Sequence, residues 1–356
     1  MAPVPLTIDT LFAAMFAPIL GVFIFWFLQL FFIELQKRIL ERLRHHHEAF
    51  CRFTNYIGML FQTMSQALGY TVTRSGIASF QVTVSYGKVE PKKEKEGVFE
   101  WVARSFLLFG PFFIPSGLIL LVSYFVIGRG FVFSSWVQGT FVESLTGFFA
   151  SLSTYAKEVF GFLLDIDLLN PVHVGWLFVL VFLGLGIRPS YIGHERKEKI
   201  DILYDLRHIK DHLVEKPLYL LVLLLILYVF YIVTLFLNPV VYSGLFILFG
   251  WLSLTAIMAI LMTYPLLLLI KATDGIQPQW KIVPFLSVPI SYIGARVFFL
   301  YFPTQQIGRM SLLVMLFSTV VVIIALLRYK KTNRFKTPPK MKHMRVADGK
   351  KRTSKK

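Results

Sequence analysis

The chain has 356 residues, 56% of them apolar and only 16% charged, with a mean hydropathy of +0.64 and a formal net charge of +17. A soluble globule of this size could not hide so much hydrophobic surface, so the composition excludes a water-soluble protein and defines a polytopic membrane protein. The lone Cys51 excludes an internal disulfide framework.

Uncharged runs close to the roughly 20 residues that cross a bilayer as helix fall at 11–33, 54–70, 103–127, 171–187, 217–237, 242–270, 282–302 and 307–327. The expected fold is therefore all-α, with seven or eight transmembrane helices. No basic residue precedes the first run, so no cleavable signal is expected and the first span should persist as an anchor. The segment 37–52 reads as a basic interfacial helix. Its run His45-His46-His47-Glu48 cannot converge on one ion, because consecutive helical residues point about 100° apart.

The second run is the shortest and most polar, and is broken by Gln62-Thr63-Met64-Ser65-Gln66, with the two glutamines one helical turn apart. An amide in hydrocarbon must find a partner or cost about 1 to 3 kcal/mol. Interhelical hydrogen bonding is the plain reading of such residues. After this run Phe80, Val82, Val84 and Tyr86 alternate with Gln81, Thr83 and Ser85, a half-buried strand. Ser75-Gly76 reads as a turn, so 71–89 is a predicted hairpin, placed at the membrane surface or under protein because its edges cannot face lipid.

A polar five-residue motif on an apolar helix, a short membrane-associated hairpin, then a helix containing Gly110-Pro111, resembles the core of the site-2 protease family of intramembrane zinc proteases. The resemblance covers the first half of the chain, with a candidate core at 54–187. It implies that Gln62 and Gln66 stand where that family has two zinc-binding histidines, and Thr63 where it has the catalytic glutamate. An amide oxygen is a poor substitute for imidazole, and a threonine hydroxyl cannot serve as a general base near neutral pH. The motif is degenerate, so no catalytic residue is assigned and zinc is not expected. Neither Asn170-Pro171 with His173 nor Asp274-Gly275 supplies a clear third ligand; Asp274-Gly275 reads as a turn, and His173 as a satisfied interface residue.

Further along, 136–164 has apolar residues at helical spacing and is expected as an amphipathic helix on the outer surface. In the following basic loop, Asp201, Asp205, His208 and His212 share one face of a predicted helix, with Leu203, Leu206, Ile209 and Leu213 opposite. The i, i+4 pair His208 and His212, with Asp205, is a candidate metal site; a solvated face is the simpler reading. Arg104 and Arg296 are the main charges near span ends, with no carboxylate inside the spans to pair with them.

Arg328 to Lys356 carries thirteen Lys or Arg against one Asp, a solvated tail expected in the cytoplasm and drawn to anionic lipid headgroups. The chain thus divides into a membrane domain, 1–327, and a basic tail, 328–356. The basic segments 71–100, 188–216 and 271–281 fall inside and the acidic 128–170 outside. Only the N-terminus conflicts: a full second span would put the basic 37–52 outside, whereas a re-entrant second segment gives seven crossings. Four functions stay open. One is a non-catalytic site-2-protease-like protein that binds or scaffolds a membrane partner in the cell membrane. The others are a transporter or channel, an active metalloprotease with non-standard ligands, and an insertase or membrane chaperone with a ribosome-contacting tail. Specific nucleic-acid binding is not expected.

Overall fold

A computed structural model of the chain describes residues 7–84, 86–127, 139–187, 202–274, 276, 280–301 and 306–334. The predicted tail beyond 334 lies outside the described residues. Among these, a π-helical turn (Asp9–Ala13) leads into α1 (Phe16–Leu43) and α2 (Glu48–Val72). The strands β1 (Ile77–Val82) and β2 (Gly87–Pro91) follow, then α3 (Val98–Ile127), α4 (Phe141–Leu164), α5 (Pro171–Leu185) and α6 (Ile202–Glu215). The last four helices are α7 (Pro217–Leu237), α8 (Pro239–Ala272), α9 (Val283–Leu300) and α10 (Ile307–Arg334).

Local chemistry sets several of the boundaries. Thr140 and Glu143 form a reciprocal capping box at the start of α4, and Asn170 and Asn238 accept from the N–H groups of Val172 and Val240 with a proline opening α5 and α8. Arg74 and Gly76 adopt positive φ between α2 and β1, so Ser75-Gly76 joins helix to strand. The hairpin turn itself lies at 83–86, where the Thr83 hydroxyl accepts from Tyr86 N–H, inside the stretch predicted to be one strand. The hairpin therefore spans 77–91, with Phe80 opposite Val89 and Val82 opposite Gly87.

Among the described residues six helices are long and apolar enough to cross a membrane, α1, α3, α7, α8, α9 and α10, rather than seven or eight. The segment 171–187 yields α5, whose 15 residues reach only about 22 Å, short of the roughly 30 Å hydrocarbon core. The segment 54–70 lies within α2, an amphipathic helix whose polar face carries Arg52, Asn55, Gln62 and Gln66. At its start Cys51 clusters with Leu40, Leu43, Leu267 and Ile270, at the ends of α1 and α8. At its other end Gly69 meets Ala103, two residues from Trp101, whose ring lies 6.1 Å from that of Tyr219 near the start of α7. Helix α2 thus starts at the Leu43 end of the bundle and ends against the first turns of α3, and it is not among the helices apolar enough to span.

Helices α1 and α8 run parallel at the centre. Tyr242 donates to the Met15 carbonyl at one end, and Gln36 donates to Thr263 toward the other. Starting beside Asp9, which accepts from Phe141 N–H, α4 packs over both. Phe148 lies against Gly21 and Gly250, and the Tyr155 hydroxyl bonds that of Thr255 at 2.6 Å. The expected surface helix therefore contributes fully buried side chains to the core. Helix α5 returns the chain to the Leu43 end, where Leu185 joins the cluster around Cys51. Its Gly184 is required by close approach, since a Cβ there would lie 2.6 Å from the Ala259 carbonyl oxygen.

Candidate functional site

The polar run on α2 is divided among three neighbours. Thr63 and Ser65 are buried and each donates back to its own helix, to the carbonyls of Met59 and Phe61, both at 2.7 Å. That satisfies the hydroxyls locally and leaves their faces for packing. Thr63 lies under Gly87 of β2, and Ser65 meets Gly110 of α3, where a Cβ would come within 2.6 Å. The glycines of hairpin and helix thus permit both to close on α2. Asn55 adds a bond from its amide to the Val84 carbonyl at the hairpin turn.

Gln62 and Gln66 instead face open clefts. Gln66 borders a cleft of about 470 Å³ with Tyr70, Glu94, Lys95, Glu96, Glu100, Arg104 and Leu107. Its amide has only long contacts, 3.4 Å to Tyr70 and 3.5 Å to the Val89 carbonyl, at the outer limit of hydrogen bonding. Gln62 borders a second cleft of about 180 Å³ with Leu107, Leu108, Phe112, Tyr204, His208 and Ile209. Leu107 belongs to both, so the two clefts adjoin. The helix-joining amides are elsewhere. Gln36, 3% exposed, donates to the Gly184 carbonyl at 3.2 Å and to Thr263 at 2.8 Å, linking α1, α5 and α8. Fully buried Gln29 donates to the Phe112 carbonyl at 3.0 Å. Their spacing of seven residues, two turns on one face of α1, was the available signal.

The α6 candidates part company. His208 reaches the Gln62 cleft with its ring 4.2 Å from that of Tyr204. His212 is 6% exposed rather than turned to water, stacks on Trp101 at 5.1 Å, and lies 3.0 Å from the Ser105 hydroxyl. Burial, with the nearby Arg104 guanidinium, lowers its pKa and favours the neutral imidazole. Leu203, expected on the buried face, is exposed. The helix is rotated from the predicted orientation because Trp101 offers an aromatic seat to His212. Asp201 and the side chain of Asp205 lie outside the described residues. Among the described residues, no three His, Cys, Asp or Glu side chains gather as a metal group.

The two arginines near span ends have carboxylate partners that come from loops and helix ends, outside the predicted spans. Arg296 bonds Asp167 at 2.7 Å, and Arg104 bonds Glu100 at 2.7 Å and Glu215 at 3.5 Å. The Tyr292 hydroxyl also donates to Asp167, while Arg309 grips Asp165 through two nitrogens at 2.6 and 3.0 Å. Those hydrogen bonds hold the Asp165 carboxyl below its ordinary pKa. His173 accepts from Asp167 N–H. His47 lies 2.8 Å from Asp274, joining the α1–α2 elbow to the segment after α8.

Fold and charge distribution together define an integral membrane protein, all-α and polytopic, with a small antiparallel hairpin. No protein-family model matches the chain, nor does any curated protein or any solved structure.

Proposed function

We propose that the protein is a non-catalytic relative of the site-2 proteases that binds or scaffolds a segment of another membrane protein beside α2. One observation carries this reading: among the described residues Gln62 and Gln66 spend little of their hydrogen-bonding capacity, and they border adjoining clefts against α3. Polar groups so placed at a membrane surface are suited to pairing with an incoming chain. Hydrolysis has no support in the residues, because Thr63 is occupied by the Met59 carbonyl and covered by Gly87. Pairing of Arg104 and Arg296 weakens the carrier reading, since neither guanidinium is held free for a solute.

Orientation follows from charge. Read as an interfacial helix that does not cross, α2 leaves the basic 37–52 on the side of the hairpin lysines, α6, Lys271 and Lys281, with Asp9, Glu143, Asp165 and Asp167 on the other. The positive-inside rule then assigns the Leu43 end and the C-terminal tail to the cytoplasm, and the N-terminal conflict disappears.

The test uses full-length protein carrying a photocrosslinking residue at position 62 or 66, irradiated in native membranes. A discrete membrane-protein adduct is expected from both positions and not from position 317, where Phe317 is 73% exposed on α10. Stoichiometric zinc in the purified protein, lost on His208→Ala, would overturn the proposal, as would adducts to lipid alone.

A further inference from the structure

Resting on that reading, we infer that the groove between α2 and α3 takes one particular part of its partner: the basic cytoplasmic flank of a transmembrane segment, with its first apolar turns. Along one face of α3 the lining passes from Glu100 and Arg104 through Leu107 and Leu108 to Phe112. Phe112 lies 12 positions beyond Glu100, a rise of about 18 Å along the helix. The groove therefore turns from charged to apolar over the distance in which a membrane segment emerges from hydrocarbon into water. A uniformly polar peptide would leave the Leu108 and Phe112 end unmatched, and a uniformly apolar helix would bury carboxylates without partners.

The sign of the mouth selects the flank. Glu94 and Glu96 make no ion pair among the described residues, whereas Lys95 is committed to the Thr73 carbonyl and lies 4.6 Å above the Phe99 ring. Arg104 is neutralised by Glu100 and Glu215. The cleft lining thus holds three carboxylates, Glu94, Glu96 and Glu100, against the two cations Lys95 and Arg104, so it is net acidic at an end of the protein whose other segments are strongly basic. Lysine or arginine on the cytoplasmic side of a membrane helix is the common complement to such a mouth. Midway, the Gln62 and Gln66 amides can each donate to and accept from backbone where the entering chain leaves regular helix.

The test reconstitutes the full chain in lipid nanodiscs and titrates two labelled peptides. Both share an apolar segment of about 20 residues; one is flanked by Lys-Lys-Arg, the other by Glu-Glu-Asp. The basic flank should bind about tenfold more tightly at low salt, roughly the sum of two exposed ion pairs, with the preference shrinking at high salt. Glu94→Lys with Glu96→Lys should abolish or invert the preference, while Glu158→Lys on α4 should not change it. Equal binding of the two peptides, or a preference unmoved by the Glu94→Lys, Glu96→Lys pair, would overturn the inference while leaving the proposed partner site standing. Failure of both peptides to compete with the crosslinked native partner at position 66 would count against the inference and the proposed partner site alike.

Discussion

On α1, Gln29 and Gln36 lie two turns apart and end in carbonyls of α3 and α5 and a hydroxyl of α8; on α2, Gln62 and Gln66 lie one turn apart and end in clefts. The difference comes from what each helix faces. Helix α1 sits at the bundle centre, where Gly184 and Thr263 bring backbone and hydroxyl within reach of an amide. Helix α2 closes on α3 where Ser65 meets Gly110 and where Gly69 meets Ala103. The amides of Gln62 and Gln66 open into the clefts beside those contacts. A polar residue in an apolar helix is thus glue or site according to the residues opposite, which one helix alone does not reveal.

The most disruptive way to break the contrast is at the acceptor side of Gln36. Gly184→Val would drive a side chain into the Ala259 carbonyl, already only 2.6 Å from an ideal Cβ. Overpacking of this kind costs about 1–3 kcal/mol, more where backbone must move. A large fall in the thermal midpoint of the detergent-solubilised protein is expected, and a near-neutral result would show that α5 and α8 are not locked together there.

A milder change isolates the amide. Gln36→Leu removes two hydrogen bonds and leaves the Thr263 hydroxyl its bond to the Ile260 carbonyl. Interhelical hydrogen bonds in membranes average about 0.6 kcal/mol and reach about 1.7. We expect a loss of about 1 kcal/mol in reversible unfolding. An equal or larger loss from a leucine at position 62 would erase the distinction between the two helices.

Much of the fold was legible because the membrane imposes long apolar runs, and five of the six long helices contain a predicted span almost entire. The shorter elements were not, for physical reasons. Residues 54–70 carry no charge, yet α2 is too polar on one face to count among the candidate spans, a pattern that a count of charges overlooks. Residues 171–187 gave α5, which is too short to span by itself and is sheltered by α4. In the candidate site, the local order of motif, hairpin and Gly110-Pro111 was readable. The burial of His212 was not, since it depends on Trp101, 111 residues away. Nor could the meeting of Asp167 with Arg296 be foreseen, because it joins the α4–α5 turn to a helix far along the chain.

A pH dependence sharpens the contrast at α6, the helix that walls the Gln62 cleft. Because burial lowers the His212 pKa, the folded state favours the neutral ring relative to the unfolded chain. The stabilisation is fully present above the ordinary histidine value near 6.5 and is lost as pH falls through the lower folded value. Protection of the α6 amides, taken relative to their intrinsic exchange rates, should therefore fall as pH drops below the ordinary histidine value of about 6.5, and His212→Phe should remove that acid sensitivity while keeping the stack on Trp101. Protection independent of pH in the unmodified protein would mean that His212 does not control the docking of α6.

The smallest effect on stability is expected at the clefts themselves, and that smallness is the point. Gln62→Leu and Gln66→Leu remove amides with no short hydrogen bond to a described residue, so each should change unfolding free energy by less than about 0.5 kcal/mol. The leucines could even gain from contact with Leu107 and Leu108. Partner capture should respond in the opposite sense, with crosslinking from position 66 falling several-fold in Gln62→Leu and crosslinking from position 62 falling likewise in Gln66→Leu. Stability lost together with capture would return both residues to the role that Gln36 plays on α1. Capture lost at constant stability would mark them as groups held for another chain.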